Sequence, residues 1–319
     1  MRQGSATGLP NPYPVEITPP DISAYAAGNT GIPYVWTFDS GQPGPHAAIT
    51  ALVHGNEPCG ALALDRLLTQ DFRPRQGRLS LAFINTAAAE AFDPDQPDAS
   101  RWVDEDMNRI WSADVLDDPD RPLTLELARA RQLRPWLDTV DLLLDIHSMQ
   151  HPTEALALAG WQDRGVALAR GIGHPAVIVR DHGHAQGMRM RDYGGLGGDG
   201  GTRAAVLVEC GQHWAASSEA VAHTCVAGFL HHVGLTDAAP APGPAADVLH
   251  VTEAVTIQTD DFRFAEDWRG FERLDQGTLI GTDGTVEIRA PHQPTVLIMP
   301  SRRLWAGLTA VRLARICDG

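Results

Sequence analysis

The sequence predicts an α/β protein, with a sheet flanked by helices and a small β domain at the C-terminal end. Apolar runs typical of buried strands alternate with helical patterns up to residue 235, which indicates a sheet covered on both faces. Residues 236–247 are rich in Ala, Pro and Gly without periodicity and indicate a linker. Only short strand patterns separated by turn residues follow. We therefore expect a larger domain over 1–235 and a β domain over 248–319, joined by that linker.

Each element is predicted by its own pattern, taken here in chain order. In the larger domain, short apolar runs rich in β-formers predict the strands, which are 33–38, 47–53, 77–85, 140–148 and 204–211. Apolar residues spaced three and four apart predict the helices, which are 60–70, 123–137 and 217–235. A long polar loop, 90–111, separates the third strand from the second helix. Within the β domain, strand patterns cover 248–259, 277–290 and 295–300, and no long helix is expected there.

Charge and composition exclude several classes of partner. The formal net charge of −15 argues against a general nucleic-acid or anionic-membrane partner, although it leaves room for a local basic pocket. The apolar runs are far shorter than the ~20 residues of a membrane helix, and the first residues lack the apolar core of a signal peptide. The four cysteines are scattered, which favours a cytoplasmic protein with reduced thiols. The sequence leaves open whether the protein forms a homo-oligomer.

Ionisable side chains stand at the ends of three predicted strands. His54 and Glu57 follow the second strand, His147 ends the fourth, and Glu209 ends the fifth. In open α/β sheets, ligands bind at the carboxyl ends of strands. Two imidazoles and one carboxylate are a common ligand set for catalytic zinc, which lowers the pKa of a water to about 7. A further carboxylate must then accept the proton of that water, and Glu209 is the candidate.

Each of these signals taken alone has an ordinary structural explanation. A histidine at a strand end is more often a hydrogen-bonded structural residue than a ligand, and the spacing His-x-x-Glu is common by chance. Glu209 could cap a helix or pair with an arginine. The combination at three strand ends of one α/β chain is what favours zinc.

Four segments together resemble a known family. HGNEPCG (54–60), DMNRIW (106–111), DIHS (145–148) and VECG (208–211) are similar, in order and spacing, to motifs of the succinylglutamate desuccinylase/aspartoacylase family. The resemblance covers most of the chain. It implies a zinc carboxypeptidase-like fold, a mixed sheet flanked by helices with a small C-terminal β domain, and makes the larger domain the catalytic one. It also implies hydrolysis of an amide between a small acyl group and an amino acid or similar amine.

The resemblance also implies a role for individual residues. His54, Glu57 and His147 match the ligands of one zinc ion per chain, and Glu209 matches the general base that later acts as acid. The remaining matches concern the substrate: Asn108 and Arg109 match the pair that binds its carboxylate, and Arg101 matches an arginine that polarises the scissile carbonyl.

Spacing and residue chemistry agree with these roles. Asp145 lies two residues before His147, on the same face of a strand, and we expect it to accept a hydrogen bond from a ligand imidazole. Arg109 offers a planar fork that suits a carboxylate, although a surface ion pair with a neighbouring acidic residue is its structural alternative. Gly55 and Gly60 would let backbone approach the metal site and let the following helix pack.

The second arginine that contacts substrate is left open. Arg189, Arg191 and Arg203 lie in or next to a glycine-rich loop, 180–201, which suits a lid over the substrate. His182 and His184 belong to the same loop, which lacks the pattern of a phosphate-binding loop. His151, four residues after His147, is expected to be a surface or supporting residue rather than a ligand. Cys59 and Cys210 are expected to be buried small residues.

The substrate is predicted only as a class. In aspartoacylase a tyrosine of the C-terminal domain reaches the substrate, whereas all tyrosines of this chain lie at or before position 193, which argues against N-acetylaspartate. Succinylglutamate is no better supported. We expect a zinc-dependent deacylase that acts on a small, carboxylate-bearing N-acyl amino acid or related N-acyl amine. The alternatives are a metallocarboxypeptidase for short peptides and a non-catalytic zinc-containing binding module. Intact Glu209 argues against the latter, because a binding module needs no base.

Overall fold

The computed structural model describes residues 13–243 and 245–317. Its strands are β1 Val35–Asp39, β2 His46–Ala51, β3 Arg78–Phe83, β4 Leu142–Met149, β5 Leu156–Leu158, β6 Val177–Arg180, β7 Ala204–Gln212, β8 Asp247–Thr256, β9 Phe262–Phe264, β10 Arg273–Leu274, β11 Leu279–Asp283, β12 Val286–Arg289, β13 Thr295–Ile298 and β14 Thr309–Cys317. Its helices are α1 Pro58–Thr69, α2 Thr86–Glu90, α3 Ala113–Leu116, α4 Leu125–Leu137, α5 Asp163–Ile172, α6 Gly194–Gly197 and α7 Ala216–His232. Single 3-10 turns lie at Ile22–Tyr25, Pro97–Ser100, Met107–Arg109 and Met190–Asp192.

A large mixed sheet forms the centre of the molecule. Within the described residues it has eleven strands in the order β1-β3-β2-β4-β7-β5-β6-β8-β14-β13-β10. The central strands β3, β2, β4 and β7 are parallel, whereas β5 turns antiparallel against β7. The chain therefore has the mixed, helix-flanked sheet that the sequence predicts.

Helices cover both faces of the parallel part of the sheet. On one face, Ile49 of β2 and Val206 of β7 share an apolar cluster with Leu64 of α1 and Phe229 of α7. On the other face, alternate residues such as Ala205 pack in a separate cluster with α4 and with the loop residues Met107 and Trp111. Because neighbouring side chains of a strand point to opposite faces, strands buried on both sides are apolar throughout, as the sequence shows.

The C-terminal residues extend the main sheet and also form a second one. β8 pairs in parallel with β6, and β14 and β13 follow it in the same sheet. β12, β11 and β9 form a small antiparallel sheet with its own apolar cluster. The predicted linker ends at Asp247, where β8 begins. The division into two domains at the linker 236–247 stays a prediction. The chain beyond this linker is hydrogen-bonded, through β8, to β6 of the predicted larger domain.

Several elements were not predicted. The sequence analysis missed β5, β6 and α5 between residues 150 and 200, and also β9, β10 and β14. No helix of the described residues is long and apolar enough to span a membrane. All four cysteines are free thiols, and Cys59 and Cys210 are buried as expected.

Candidate active site

The site lies where the parallel strands end. β2 is fully buried, and Leu52 directly after it has a φ of 62°, a left-handed conformation that turns the chain toward His54. Glu57 is the N-cap residue of α1 and is followed by Pro58 in its first turn. On the neighbouring strands, His147 of β4 pairs with Glu209 of β7 in the sheet register. Parallel pairing thus brings together residues that are more than 150 positions apart in the chain.

His54, Glu57 and His147 form a buried cluster. The Nδ1 atom of His54 lies 2.7 Å from Oε1 of Glu57, and the Nδ1 atom of His147 lies 3.0 Å from Oε2 of the same carboxylate. The ligand atoms of the three residues all lie within 4.8 Å of one another. Within the described residues, this is the one group of such side chains that could hold a metal ion.

The other nitrogen of each imidazole is held by an aspartate. Nε2 of His147 lies 3.0 Å from Asp145, whose second oxygen accepts a hydrogen bond from the Thr50 hydroxyl at 2.8 Å. Nε2 of His54 lies 2.9 Å from Asp106. A carboxylate on the outer nitrogen fixes the ring so that the inner nitrogen faces the metal position. Asp145 stands where the sequence predicts it, whereas Asp106 was considered only as a partner of Arg109.

Attraction between the carboxylates and the imidazoles of this cluster shifts their pKa values. Burial alone would raise the pKa of Glu57, but the imidazoles of His54 and His147 hold it well below its usual value. Burial alone would lower the pKa of His147, but Asp145 and Glu57 raise it well above its usual value. The backbone N–H of Ser148 donates to Glu57 at 3.1 Å and adds to the stabilisation of its charged form. The cluster therefore favours an ionised Glu57, as a cationic ligand requires.

Glu209 differs from the other carboxylates of the site. Its Oε2 atom is buried, and no described residue forms a hydrogen bond with it. Burial, with the negative charge of Glu57 nearby, raises the pKa of Glu209 to about 8. A carboxyl group that exchanges its proton near neutral pH suits a general base that later acts as acid.

Arg101 contacts the candidate metal-binding residues. Its guanidinium donates to Oε1 of Glu57 at 3.2 Å and lies 2.9 Å from Nε2 of His54. A longer contact of 3.5 Å joins it to Asp106. The side chain is about one fifth exposed, so it borders the opening of the site. This arrangement places one cation beside the candidate metal-binding residues.

Asn108 and Arg109 follow in a 3-10 turn. Asn108 is buried, and its Oδ1 accepts a hydrogen bond from the backbone of Met190 at 2.9 Å. Arg109 donates to its neighbouring carbonyl and lies 3.9 Å from Asp106, a long ion pair. Its Nε is buried and has no hydrogen-bond partner in the described part of the chain. Burial lowers the pKa of Arg109 to about 10, but the group stays charged at neutral pH. Its guanidinium thus keeps hydrogen-bonding capacity that a ligand carboxylate could use.

The three arginines left open by the sequence are engaged elsewhere. Arg189 forms a two-pronged ion pair with Asp181 at 2.8 Å and also binds Asp192. Arg191 donates to the carbonyls of Ala159 and Ala205, and Arg203 donates to those of Leu137 and Val140. The guanidinium groups of these three arginines are thus occupied by carboxylates or main-chain carbonyls of the protein.

The histidines outside the cluster have separate partners. His151 contacts the Tyr13 hydroxyl at 3.1 Å, and His182 stacks on Trp161 at 3.4 Å. Met190 and Leu196 of the glycine-rich loop pack in the core, and a lid role of this loop stays a prediction.

Two functional candidates were missed by the sequence analysis. His213 is buried behind the cluster and bonds the Ser148 hydroxyl at 2.8 Å, and burial lowers its pKa to about 3. Its position four residues after Glu209 was the available signal. Arg312 of β14 is half-buried; burial lowers its pKa, the charges of Asp181 and Glu209 oppose that effect, and no motif marked it.

The model of the succinylglutamate desuccinylase/aspartoacylase catalytic domain matches residues 43–228, more than half of the chain. The chain belongs to this family. This is a family of deacylases, which are hydrolases that cleave amide bonds. The matched segment contains all the site residues that the sequence predicts. No curated protein sequence matches the chain.

Solved structures agree with the family in fold. Succinylglutamate desuccinylase from Vibrio parahaemolyticus is 15% identical with a TM-score of 0.67, over 90% of this chain and 87% of its own. The product-bound ectoine utilization protein EutE (DoeB) from Ruegeria pomeroyi is 19% identical with a TM-score of 0.62, over 86% of both chains. An aspartoacylase family protein from Mesorhizobium loti is 19% identical with a TM-score of 0.59, over 89% of both. At such identities the likeness concerns the fold, including the C-terminal region beyond the family model.

Proposed function

We propose that this protein is a zinc-dependent hydrolase that cleaves the amide bond of a small N-acyl amino acid or related N-acyl amine. The single observation that carries this proposal is the buried His54–Glu57–His147 cluster with Glu209, a carboxyl group without a partner, on the adjacent strand. The reduced cysteines are consistent with a cytoplasmic location, which stays part of the proposal.

The donor set fits zinc. Two nitrogen atoms and one carboxylate converge, and an aspartate holds the outer nitrogen of each ring. His54, Glu57 and His147 would hold the ion. When bound there, zinc would polarise a carbonyl group and lower the pKa of a water molecule.

Glu209 would move the proton. As a carboxylate it accepts the proton of the attacking water, and as an acid it then delivers that proton to the amine that leaves. Burial and the charge of Glu57 raise its pKa to about 8, which supports a carboxyl group that can both hold and release a proton. Its unpartnered oxygen leaves it able to accept a proton without first breaking a bond to protein.

The two arginines would act on different parts of the substrate. Arg109, assisted by Asn108, would bind a carboxylate that the substrate carries before and after reaction. Arg101 would stabilise the negative charge that develops on the carbonyl oxygen. The substrate is therefore expected to be small and to bear a carboxylate.

The test is hydrolysis of a panel of N-acyl amino acids, N-acyl amines and short peptides with free C-termini. Wild type should release free amine from at least one N-acyl compound, and Glu209→Gln should bind zinc but lose turnover, because an amide cannot accept the proton. Glu266→Gln, an exposed carboxylate in the C-terminal region, is the matched control and should keep full activity. Cleavage of peptides alone would indicate a carboxypeptidase. No turnover by wild type loaded with zinc would contradict the proposal and favour a binding module.

A further inference from the structure

Glu126 is a buried carboxylate that the proposed mechanism does not use. It lies in the first turn of α4 and is fully removed from solvent. Burial of a charged carboxylate is costly unless hydrogen bonds replace its water. The N-terminal end of a helix favours negative charge, but it does not by itself replace that water. The position of Glu126 therefore requires hydrogen-bond donors from elsewhere in the protein.

Four N–H groups donate to the Glu126 carboxylate. Its Oε1 accepts from the backbone of Val103 at 2.7 Å and from the side-chain amide of Asn85 at 3.1 Å. Its Oε2 accepts from the backbone of Asp104 at 3.1 Å and from that of Glu105 at 3.3 Å. All four partners are donors, so an ionised carboxylate satisfies them, whereas a protonated carboxyl would find no acceptor among them. Glu126 thus binds three consecutive N–H groups of one loop.

This loop segment, 103–105, connects two side chains that contact His54. Arg101 lies two residues before the segment, and Asp106 follows it directly. A guanidinium nitrogen of Arg101 and a carboxylate oxygen of Asp106 each lie 2.9 Å from Nε2 of His54. The hydrogen bonds of Glu126 therefore fix the main chain between these two contacts.

Apolar burial does not hold segment 103–105 in place. The side chain of Val103 is 45% exposed, and Asp104 is exposed as well. Asp104 and Glu105 bond in return to the beginning of α4, but these contacts are exposed or half-buried. Glu126 is the residue that holds the main chain of the segment from the buried side.

Asn85 connects the same carboxylate to the turn between β2 and α1. Its side chain donates to Glu126, and its backbone N–H donates to the carbonyl of Leu52, where the turn begins, at 2.8 Å. The turn also bonds directly to the loop, because the N–H of Gly55 donates to the carbonyl of Arg101 at 3.1 Å. Glu126 therefore lies at the point where the loop and the turn of the candidate metal cluster are joined.

We propose that Glu126 is a positioning residue of this site: through the main chain of segment 103–105, it keeps Arg101 and Asp106 where they contact His54. The inference rests on the proposed function, in which Arg101 stabilises charge on the carbonyl oxygen and His54 binds the metal. A displacement of about 1 Å in such a group is enough to lower a reaction rate by about 100-fold. Glu126 thus contributes to the rate without touching substrate or metal.

The pair proposed to bind the substrate carboxylate has a separate anchor. Asn108 accepts a hydrogen bond from the backbone of Met190 at 2.9 Å, and Met107 before it packs in the core with Trp111. Loss of Glu126 should therefore lower kcat and leave KM nearly unchanged. A residue that only stabilised the fold would lower Tm and leave both kinetic constants of the folded enzyme as they are.

The kinetic test compares two variants with wild type at saturating zinc, on an N-acyl substrate that wild type hydrolyses. Glu126→Gln keeps the size of the side chain but turns a donor toward N–H groups. It should lower kcat by about 10- to 100-fold and change KM by less than about threefold. Glu126→Asp keeps the charge but shortens the side chain, and its kcat should lie between the two. Glu219→Gln, a half-exposed acidic residue in the first turn of α7, is the matched control and should keep full activity.

A double variant shows whether Glu126 acts through Arg101. In the background of Arg101→Ala, Glu126→Gln should lower kcat much less than it does in wild type, because the group that it positions is absent. An undiminished loss in that background would overturn the proposal, as would a folded Glu126→Gln with the kcat of wild type.

Two further measurements need no turnover. In metal-free wild type the amides of 103–105 should exchange hydrogen slowly despite their exposed side chains, and in Glu126→Gln they should exchange at least about tenfold faster. Zinc should leave Glu126→Gln about tenfold faster, because Asp106 holds the ring of His54 less firmly. If wild type hydrolyses no acyl compound but both effects are observed, the proposed function fails and the assignment of Glu126 to these contacts stands. Fast exchange at 103–105 in wild type would overturn that assignment even if neither variant folds.

Discussion

At the scale of single residues, the site consists of charged groups that stabilise one another and a few that are left without partners. Glu57 and Asp145 each have several hydrogen bonds, whereas Oε2 of Glu209 and Nε of Arg109 have none from the described residues. Buried polar atoms are nearly always paired in folded proteins. Among the unpaired buried atoms of the described residues are thus two that we propose face water and substrate.

The first prediction concerns the metal. Purified protein should contain about one zinc per chain, since three donors leave the fourth position open for water or substrate. His147→Ala should lose most of it, as should wild type after chelation, and activity should return when zinc is added back to wild type. Elemental analysis is the measurement, with His223→Ala on α7 as control. Full zinc content in His147→Ala would remove that residue from the site.

A second prediction separates the two arginines by kinetics. Arg109→Ala should raise KM more than it lowers kcat, because the carboxylate it binds is present in both ground state and transition state. Arg101→Ala should lower kcat by ~10²–10³, as expected for loss of one donor to a developing oxyanion. Comparison of a good acid substrate with its carboxamide analogue checks the first half: wild type should prefer the acid, and Arg109→Ala should show much less preference. If Arg109→Ala keeps the full preference, another residue binds this carboxylate.

The third prediction concerns pH and the stability of the metal-free protein. Folding raises the pKa of Glu209 from about 4.5 to about 8, so the folded state binds more protons than the unfolded state between these pH values. The stability from this group is full below pH ~4.5 and is lost as pH rises through ~8. Metal-free Glu209→Gln should therefore exceed metal-free wild type in Tm at pH 8–9, by about 3 °C if the difference is ~1 kcal/mol. Thermal scans at pH 5 are the control, where the two should differ less. A gap that is equally large at both pH values would mean that proton binding by Glu209 is not its cause.

At the scale of elements, the turn between β2 and α1 determines the geometry of the metal cluster. It contains His54 and Glu57, begins with the left-handed Leu52, and is packed against neighbouring backbone. A Cβ atom on Gly55 would lie 2.3 Å from the backbone of Ala88 and 2.5 Å from the carbonyl oxygen of Ser100. Gly55 is thus required because two other segments of main chain approach it.

A pair of glycine substitutions tests this account. Gly55→Ala should destabilise by roughly 1–3 kcal/mol or more and weaken zinc retention, since backbone must move. Gly60→Ala should cost less: its Cβ would meet side-chain atoms of Ala51 and Ile146 at 2.9–3.0 Å, and alanine gains about 1 kcal/mol of helix propensity. Chemical denaturation and zinc content measure the difference. Equal losses in both variants would contradict the close approach at Gly55.

At the scale of the whole molecule, the C-terminal strands are packed into the main sheet. Leu249, Val296 and Ile298 are buried in one cluster with Val179 and Leu207 of the larger part. β8 also covers the edge of β6 with parallel hydrogen bonds. Removal of these strands would expose both apolar surface and an open strand edge.

A truncation tests how the two parts depend on each other. A chain that ends at residue 240 should be poorly soluble or lack a cooperative unfolding transition, because β6 and its cluster lose their cover. If it folds, it should act less selectively on small substrates, since the predicted β domain is expected to narrow the site. Circular dichroism melts and activity on small and larger substrates are the measurements. A truncated chain that folds and works as well as the full chain would contradict both expectations.

Much of the fold follows from local sequence patterns. Long apolar strands such as β4 and β7, and helices with regular periodicity such as α4, are predicted to within a few residues, because burial on both faces leaves a continuous apolar signal. β5, β6 and α5 were missed since they are short or follow turn-rich segments. β14 was missed because Arg312 and Arg315 interrupt its apolar pattern.

For the site, the sequence by itself singled out the residues that we propose carry the chemistry, His54, Glu57, His147 and Glu209, through strand ends and the order of the four motifs. The spacing of Asp145 predicted its contact with His147. Only the tertiary structure decided which residues stand around them. It assigned Asp106 to His54 and bound the guanidinium groups of Arg189, Arg191 and Arg203 to other parts of the protein. The physical reason is that local spacing fixes contacts within a strand or a turn, whereas contacts between distant segments depend on sheet order and register, which become defined only when the whole sheet is assembled.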